Sequence, residues 1–240
     1  TIALKADGTV WTWGYNHHGQ LGNGTVQSSY IPEKINLKDI IDIAAGDHFS
    51  MALKKDGTVW VWGYNDRGQL AQGNKVESLV PIQIKGVNGG SLPKVTKIAA
   101  CRFQWIALLE TSEVIACGAN TQSLLGDGTS TDKLYPVYML EYNGTAPVTA
   151  VKDISIGQCE SFIVKEDGTL WSVGHNCQGG MGVGNTTAYT RIKQVQDTTG
   201  TGVLSNIIQI SAGGWYNLAL DANGNVWAMG RNTEGELGIN

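Results

Sequence analysis

The chain has 240 residues, a net charge of −4 and only 16% charged residues. A mildly acidic chain is a poor nonspecific ligand for nucleic acid, which rewards basic patches, so no nucleic-acid partner is expected. No apolar run approaches the roughly 18 residues of a membrane span, and 32 glycines, about twice the usual share, point to a turn-rich β protein.

In chain order, Thr1 to Leu4 is the tail of a strand. Asp7 to Gly24 then reads D-G-T-V-W-T-W-G-Y-N-H-H-G-Q-L-G-N-G, and Asp56 to Gly73 repeats it as D-G-T-V-W-V-W-G-Y-N-D-R-G-Q-L-A-Q-G. Thr111 to Gly128 keeps only the end of the pattern. Asp167 to Gly184 restores it as D-G-T-L-W-S-V-G-H-N-C-Q-G-G-M-G-V-G, and a last copy starts at Asn223. Gly14, Gly63, Gly118, Gly174 and Gly230 are equivalent, at spacings of 49, 55, 56 and 56. Such a period suits a propeller blade better than a helical repeat. Asp-Gly between apolar runs is a hairpin signal because both turn positions need positive φ. The V-W-V-W-G run that follows is β-branched and aromatic, as a strand should be.

A full unit has four strands: Ile40–Ala45, Phe49–Lys54, Val59–Gly63 and Val80–Ile84 in the second copy. The third gives Val95–Ala100, Trp105–Leu109, Val114–Gly118 and Tyr135–Leu140, and the fourth Val151–Ile156, Phe162–Lys165, Leu170–Gly174 and Arg191–Val195. The fifth gives Ile207–Ala212, Tyr216–Leu220 and Val226–Gly230. With three strands in the first copy, 18 are expected in one domain, with repeats at about 1–39, 40–94, 95–150, 151–206 and 207–240. Pro32, Pro81 and Pro136 are placed at the start of the outer strand, an edge where a missing N–H is tolerated. Small residues ending the first strand, such as Ala44-Ala45-Gly46, fit the narrow inner end of a blade.

The signature A-G-x-x-H/W-x-x-A-L-x-x-D-G-x-V-W-x-W-G-x-N-x-x-G-Q-L-G, best carried by Leu53 to Leu70, resembles the repeat of the regulator of chromosome condensation family. The resemblance implies an all-β propeller of four-stranded antiparallel blades, typically seven. With about four and a half units here, an arc of a seven-bladed propeller is the expectation and a five-bladed ring the alternative. An arc would leave open edges near Ile2 and Val226, a route to self-association.

Chemistry-bearing patterns are sparse. Cys101, Cys117, Cys159 and Cys177 occupy four different repeat positions without C-x-x-C spacing, so they read as ordinary thiols and no metal site is expected. His17, His18, His48 and His175 form no ligand motif. Turns such as Gly19-Gln20-Leu21-Gly22 lack the Lys-Ser/Thr and helix of a phosphate loop. No Ser-His-Asp or paired-carboxylate grouping recurs, so no catalytic residue, no enzyme and no cofactor is expected. Trp11, Trp13, Trp60, Trp62, Trp171 and Trp227 lie in the third strand and read as packing between blades. The sequons at Asn23, Asn143 and Asn185 matter only in a glycosylating secretory route. Trp215, in G-G-W-Y-N, resembles a motif that plant ultraviolet receptors of this family repeat; one copy is not a cluster, so photoreception is not expected.

The loop joining the first and second strands is the variable site. It supplies Asp47, His48 and Phe49, then Arg102, Phe103 and Trp105, then Glu160, then Trp215 and Tyr216. Aromatics with an arginine on one face have the composition of a protein-binding hot spot. The competing reading is that they cap the inner strands. The leading expectation is a non-enzymatic interaction scaffold with a protein partner. The resemblance also implies a guanine-nucleotide exchange factor for a small GTPase, or a secreted inhibitor of the β-lactamase-inhibitor type. A hydrolase module would need a converging polar pocket. Short regular loops resemble bacterial surface or secreted members, favouring an extracellular or cell-surface location.

Overall fold

The computed structural model describes residues 1–238. Five antiparallel sheets follow in chain order, holding 18 strands among the described residues. The first is β1 (Ile2–Leu4), β2 (Val10–Gly14) and β3 (Ser29–Lys34). The second is β4 (Ile40–Ala45), β5 (Phe49–Lys54), β6 (Val59–Gly63) and β7 (Ser78–Gln83). The third is β8 (Val95–Cys101), β9 (Gln104–Leu109), β10 (Val114–Gly118) and β11 (Lys133–Tyr138). The fourth is β12 (Val151–Ile156), β13 (Glu160–Lys165), β14 (Leu170–Gly174) and β15 (Tyr189–Gln194), and the last is β16 (Ile207–Ala212), β17 (Tyr216–Asp221) and β18 (Val226–Gly230). Within each sheet, neighbours in sequence are neighbours in space, the meander that short hairpins impose.

Two compact units divide the chain: Thr1–Glu110, Ala116–Ala119 and Asp132–Val137, and Thr111–Ile115, Asn120–Thr131 and Tyr138–Asn240. In the first unit a core of Val10, Ile35, Leu37, Ile40, Ala52 and Trp62 joins the first and second sheets. In the second, Phe162, Val164, Leu170, Val195, Ile207, Ile210 and Ala219 join the fourth and fifth. The first strands of successive sheets lie side by side within a unit, β1 by β4 by β8 and β12 by β16. The backbone N–H of Ile98 reaches Asp42 Oδ2 at 3.5 Å, and that of Ile210 reaches Asp153 Oδ2 at 3.3 Å.

The signature residues explain the repeat atom by atom. Asp7, Asp56 and Asp167 each accept from the N–H and hydroxyl of the threonine two residues on. Those hydroxyls take the indole N–H of Trp11, Trp60 and Trp171 in turn. Gly8, Gly57 and Gly168 hold φ near +80° in these turns, but the aspartates do not. Gly8 N–H donates to Lys5 O and Lys5 N–H to Thr9 O, so each is a three-residue loop needing positive φ only at the glycine, not the two-residue turn expected.

In the first four repeats the asparagine after the strand-ending glycine is buried and used at both ends. Asn65 Oδ1 accepts from Leu70 N–H at 2.8 Å, while Nδ2 donates to the carbonyls of Asn74 and Val76 at 3.1 and 2.8 Å. Asn16, Asn120 and Asn176 do the same for Leu21, Leu125 and Met181. Each turn then presents a carbonyl to the next sheet. Ser50 Oγ donates to Gln20 O, Trp105 Nε1 to Gln69 O, Ser161 Oγ to Leu124 O and Asn217 Nδ2 to Gly180 O, all between 2.8 and 3.0 Å.

Three further expectations need correction. The outer strands begin about two residues earlier than expected. They start opposite the strand-ending glycine, as Gly63 faces Ser78, and the register shifts between Val61 and Gly63. Pro32, Pro81 and Pro136 therefore stand inside β3, β7 and β11 rather than at their starts. There the bulged edge does not use their missing N–H. Of the six third-strand tryptophans only Trp62 is fully buried, its Nε1 donating to Gln20 O at 2.9 Å. Trp11, Trp60 and Trp171 are half-buried beneath the ammonium groups of Lys5, Lys54 and Lys165. Finally, Cys159 and Cys177 are not ordinary thiols but a disulfide. Their strands end side by side, which the 18-residue separation does not reveal. Cys101 and Cys117 are free, and burial pushes the Cys101 thiol up to about 11 and the Cys117 thiol higher still.

Candidate partner-binding surfaces

In the first unit the loop after β4 is fixed from both sides. Gly46 N–H donates to Phe49 O, and Asp47 N–H donates to Arg102 O at 2.8 Å. A Cβ on Gly46 would lie 2.3 Å from that Arg102 carbonyl, so only glycine admits the neighbouring loop. Arg102 itself holds φ +50°, aiming its carbonyl at Asp47. Its part in the loop is therefore played by its backbone.

His48 stands on this frame among rings from three loops. His48 and Tyr15 have centroids 5.8 Å apart, His48 and His18 5.3 Å, and His48 and Phe103 6.3 Å. Tyr64 packs on His18 at 4.5 Å and on Phe103 at 5.9 Å, and Tyr15 on His17 at 4.5 Å. The result is one continuous patch of six rings. Carboxylates rim it: Glu77 Oε1 lies 2.8 Å from His18 Nδ1, and a hydrogen bond to Asp66 holds the Tyr64 phenol above its ordinary range. Arg67 pairs with Asp132 at 3.1 Å beside it. A groove of about 410 Å³ runs from Tyr15 past Asp47 and His48 to Ser50.

Among the loop residues singled out in the sequence, Asp47, His48, Arg102 and Phe103 are at least partly exposed. Phe49 and Trp105 are not on the surface: they are 1% and 0% exposed. Each lies in the second strand, whose side chains fill the space between sheets, so for these two the capping reading holds. Tyr15, His17, His18 and Tyr64 lie in G-x-N-x-x-G segments, which read in the sequence only as turns. The turn is real, but its variable positions project the rings.

In the second unit, Trp215 and Tyr216 are 45% and 38% exposed. The guanidinium of Arg231 lies over Trp215, 4.9 Å from the ring centroid. Glu160 is fully buried, because it occupies the same second-strand slot as Phe49. Burial pushes its carboxyl up to about 7, against the opposing pull of the nearby Asn217 side chain and Cys177 amide. It cannot serve a surface contact.

Comparison with known proteins places this architecture. The RCC1-like domain matches residues 1–240. The chain is 31% identical to the ultraviolet-B receptor UVR8 of Arabidopsis thaliana over 241 residues, covering 99% of this chain and 52% of the receptor. It therefore spans about half the length of that relative. Among solved structures, human WBSCR16 superposes with a TM-score of 0.83 at 22% identity, over 99% of this chain and 61% of the other. Prp20p of Saccharomyces cerevisiae superposes at 0.79 with 25% identity, over 100% and 57%. A recurring signature, five sheets built on it and a match across residues 1–240 lead to one assignment: the chain belongs to the RCC1-like domain family of β-propellers.

Proposed function

We propose that this chain is a non-enzymatic scaffold that binds a protein through the ring patch of its first unit. The observation that carries the reading is the continuous, partly exposed cluster of Tyr15, His17, His18, His48, Tyr64 and Phe103. Aromatic side chains offer large rigid contact area at low entropic cost, and the acidic rim supplies orientation. The likeness to yeast Prp20p supports this, since structures of that protein concern its binding to Gsp1p, histones and Kap60. The same likeness favours a second reading, regulation of nucleotide exchange on a small GTPase.

Replacing Tyr15, His48, Tyr64 and Phe103 together with alanine tests the patch. The variant should keep its β circular dichroism while losing the proteins that co-purify with the wild type from its native cells. A Trp215→Ala/Tyr216→Ala pair serves as the comparison. Retention of the same proteins by the folded quadruple variant overturns the assignment of the patch. Accelerated release of a fluorescent guanine nucleotide from a co-purifying GTPase would establish the second reading over the plain scaffold.

A further inference from the structure

In the fourth repeat the pattern of side chains departs from the others at three touching positions. Cys159 stands where the other repeats carry His48, Phe103 and Trp215. Glu160 stands where they carry Phe49, Gln104 and Tyr216, and Cys177 where they carry His17, Asp66, Thr121 and Thr233. One sulfur from each cysteine and a carboxyl oxygen of Glu160 all lie within 4.8 Å of one another. His175 Nδ1 lies 3.1 Å from Cys177 Sγ.

The carboxyl is the informative group. Glu160 is 0% exposed, and neither of its oxygens has a well-formed hydrogen bond; the Asn217 side chain and the Cys177 N–H lie near enough to favour its charge but do not offset its burial. A Cβ on Gly180 would come within 2.7 and 3.0 Å of those oxygens, so glycine there leaves room for the carboxyl and nothing more. The slot takes phenylalanine in the second repeat and glutamine in the third, and here it holds a carboxyl whose burial outweighs the help of Asn217 and Cys177. Such a group is costly unless something offsets its desolvation. A disulfide does not, because it offers no proton to a carboxylate. A cation between two sulfurs and the carboxyl oxygen does. Two thiolates and one carboxylate suit zinc, whose tetrahedral shell places neighbouring ligands about 3 to 4 Å apart.

We propose that Cys159, Glu160 and Cys177 form a zinc site in the reduced protein, and that the disulfide and the zinc complex are alternative states of this site. A thiol or phosphine reductant supplies the two electrons that open the disulfide, and two protons give two thiols. Zinc then displaces those two protons as the thiolates bind. Cys177 is only half-buried and borders a cavity of about 350 Å³ with Gln178, Trp215, Arg231 and Thr233. Reductant and metal would enter there, and water or His175, whose Nδ1 lies 3.1 Å from Cys177 Sγ, would complete the shell.

The test uses the full chain, reduced with a phosphine and incubated anaerobically with zinc chloride, then desalted. Mass spectrometry of the metal should find one zinc per chain in the reduced protein and none after oxidation with diamide. Competition with a chromophoric chelator should show at least a tenfold loss of affinity for Cys159→Ser, Cys177→Ser and Glu160→Gln. Cys101→Ser should be unchanged. Cobalt in place of zinc should give a thiolate charge-transfer band that survives Glu160→Gln and disappears in the double cysteine variant. The proposal is overturned if the reduced, folded wild type retains no zinc. It is equally overturned if Glu160→Gln binds zinc as tightly as wild type, or if reduction unfolds the chain. These readouts do not depend on protein binding by the first unit.

Discussion

Asn65 offers the sharpest test of how the repeat is held together. Leucine at this position keeps the reach of the side chain and removes its polar atoms, so three backbone groups lose their partners. Leu70 is fully buried, so its N–H bears the whole penalty of about 1–3 kcal/mol for an unmet hydrogen bond. Asn74 and Val76 are exposed, and water can reach their carbonyls, so each of these costs nearer ~1 kcal/mol. The expected loss for Asn65→Leu is therefore about 3–5 kcal/mol. It would be read as a lower urea midpoint at unchanged slope by tryptophan fluorescence at pH 7. Asn65→Asp separates hydrogen bonding from shape. Its second oxygen would face the two carbonyls that now accept from Nδ2, which raises the carboxyl pKa in the folded state. The folded state then holds the proton more tightly than the unfolded chain. The variant should be most stable below the ordinary carboxylate value of about 3.9 and lose stability as pH rises through the raised one. A loss under about 1 kcal/mol for Asn65→Leu, or an Asn65→Asp penalty equal at pH 4 and pH 7, would refute the reasoning.

Three further outcomes are expected. Trp62→Ala should cost about 3–5 kcal/mol by cavity formation, whereas Trp62→Phe should cost less than half as much, because Gln20 O keeps its bond from Ser50; equal losses in denaturant titration would show that the indole bond dominates. Gly46→Ala would drive a methyl to 2.1 Å from the Phe49 ring and should lower the melting temperature by several degrees. Gly144→Ala, which meets only a backbone nitrogen at 3.7 Å, should not, and similar melting points for the two would contradict the loop geometry. In oxidised, metal-free protein, Glu160 has a folded pKa of about 7 against an ordinary 4.5, so the folded state binds the extra proton between them. Wild-type stability should fall relative to Glu160→Gln as pH rises from 4.5 through 7, by on the order of 3 kcal/mol at most; a difference that stays flat from pH 4.5 to pH 8 would contradict it.

The repeat was readable because its signature positions each perform one local task. Asp-Gly-Thr closes a turn on itself, and the G-x-N segment closes another, so short-range rules suffice for both. Strand order followed from hairpin spacing alone. The outer strands begin two residues earlier than expected because their register depends on a bulge beside the strand-ending glycine; Pro32 and Pro81 stand in it, but proline suits the first residue of a strand as well as a bulge. Phe49 and Trp105 were misplaced for a related reason. Two successive residues in a strand point to opposite faces, and nothing in D-H-F or R-F-Q-W says which residue leaves the loop and which enters the core.

The candidate sites were less legible because they are made between repeats rather than within one. His48 meets Tyr15, His18, Tyr64 and Phe103, drawn from three repeats and separated by up to 55 residues in sequence. Cys159 and Cys177 share a repeat, yet meet only because Glu160 and Gly174 are register partners on β13 and β14. The framework explains why such groupings can arise. Repeats one, two and four satisfy their turns with the aspartate, threonine and asparagine of the signature, and each of the first four passes a carbonyl to the next sheet. The positions between those residues carry no structural duty: His17, Asp66, Thr121, Cys177 and Thr233 all occupy one of them. Chemistry is free to vary there without cost to the blade. A departure from the pattern that does carry a cost, such as a carboxyl buried without a well-formed hydrogen bond in a slot that other repeats give to Phe49, Gln104 and Tyr216, is then the better guide to function. Identity at a signature position only reports that the turn is made.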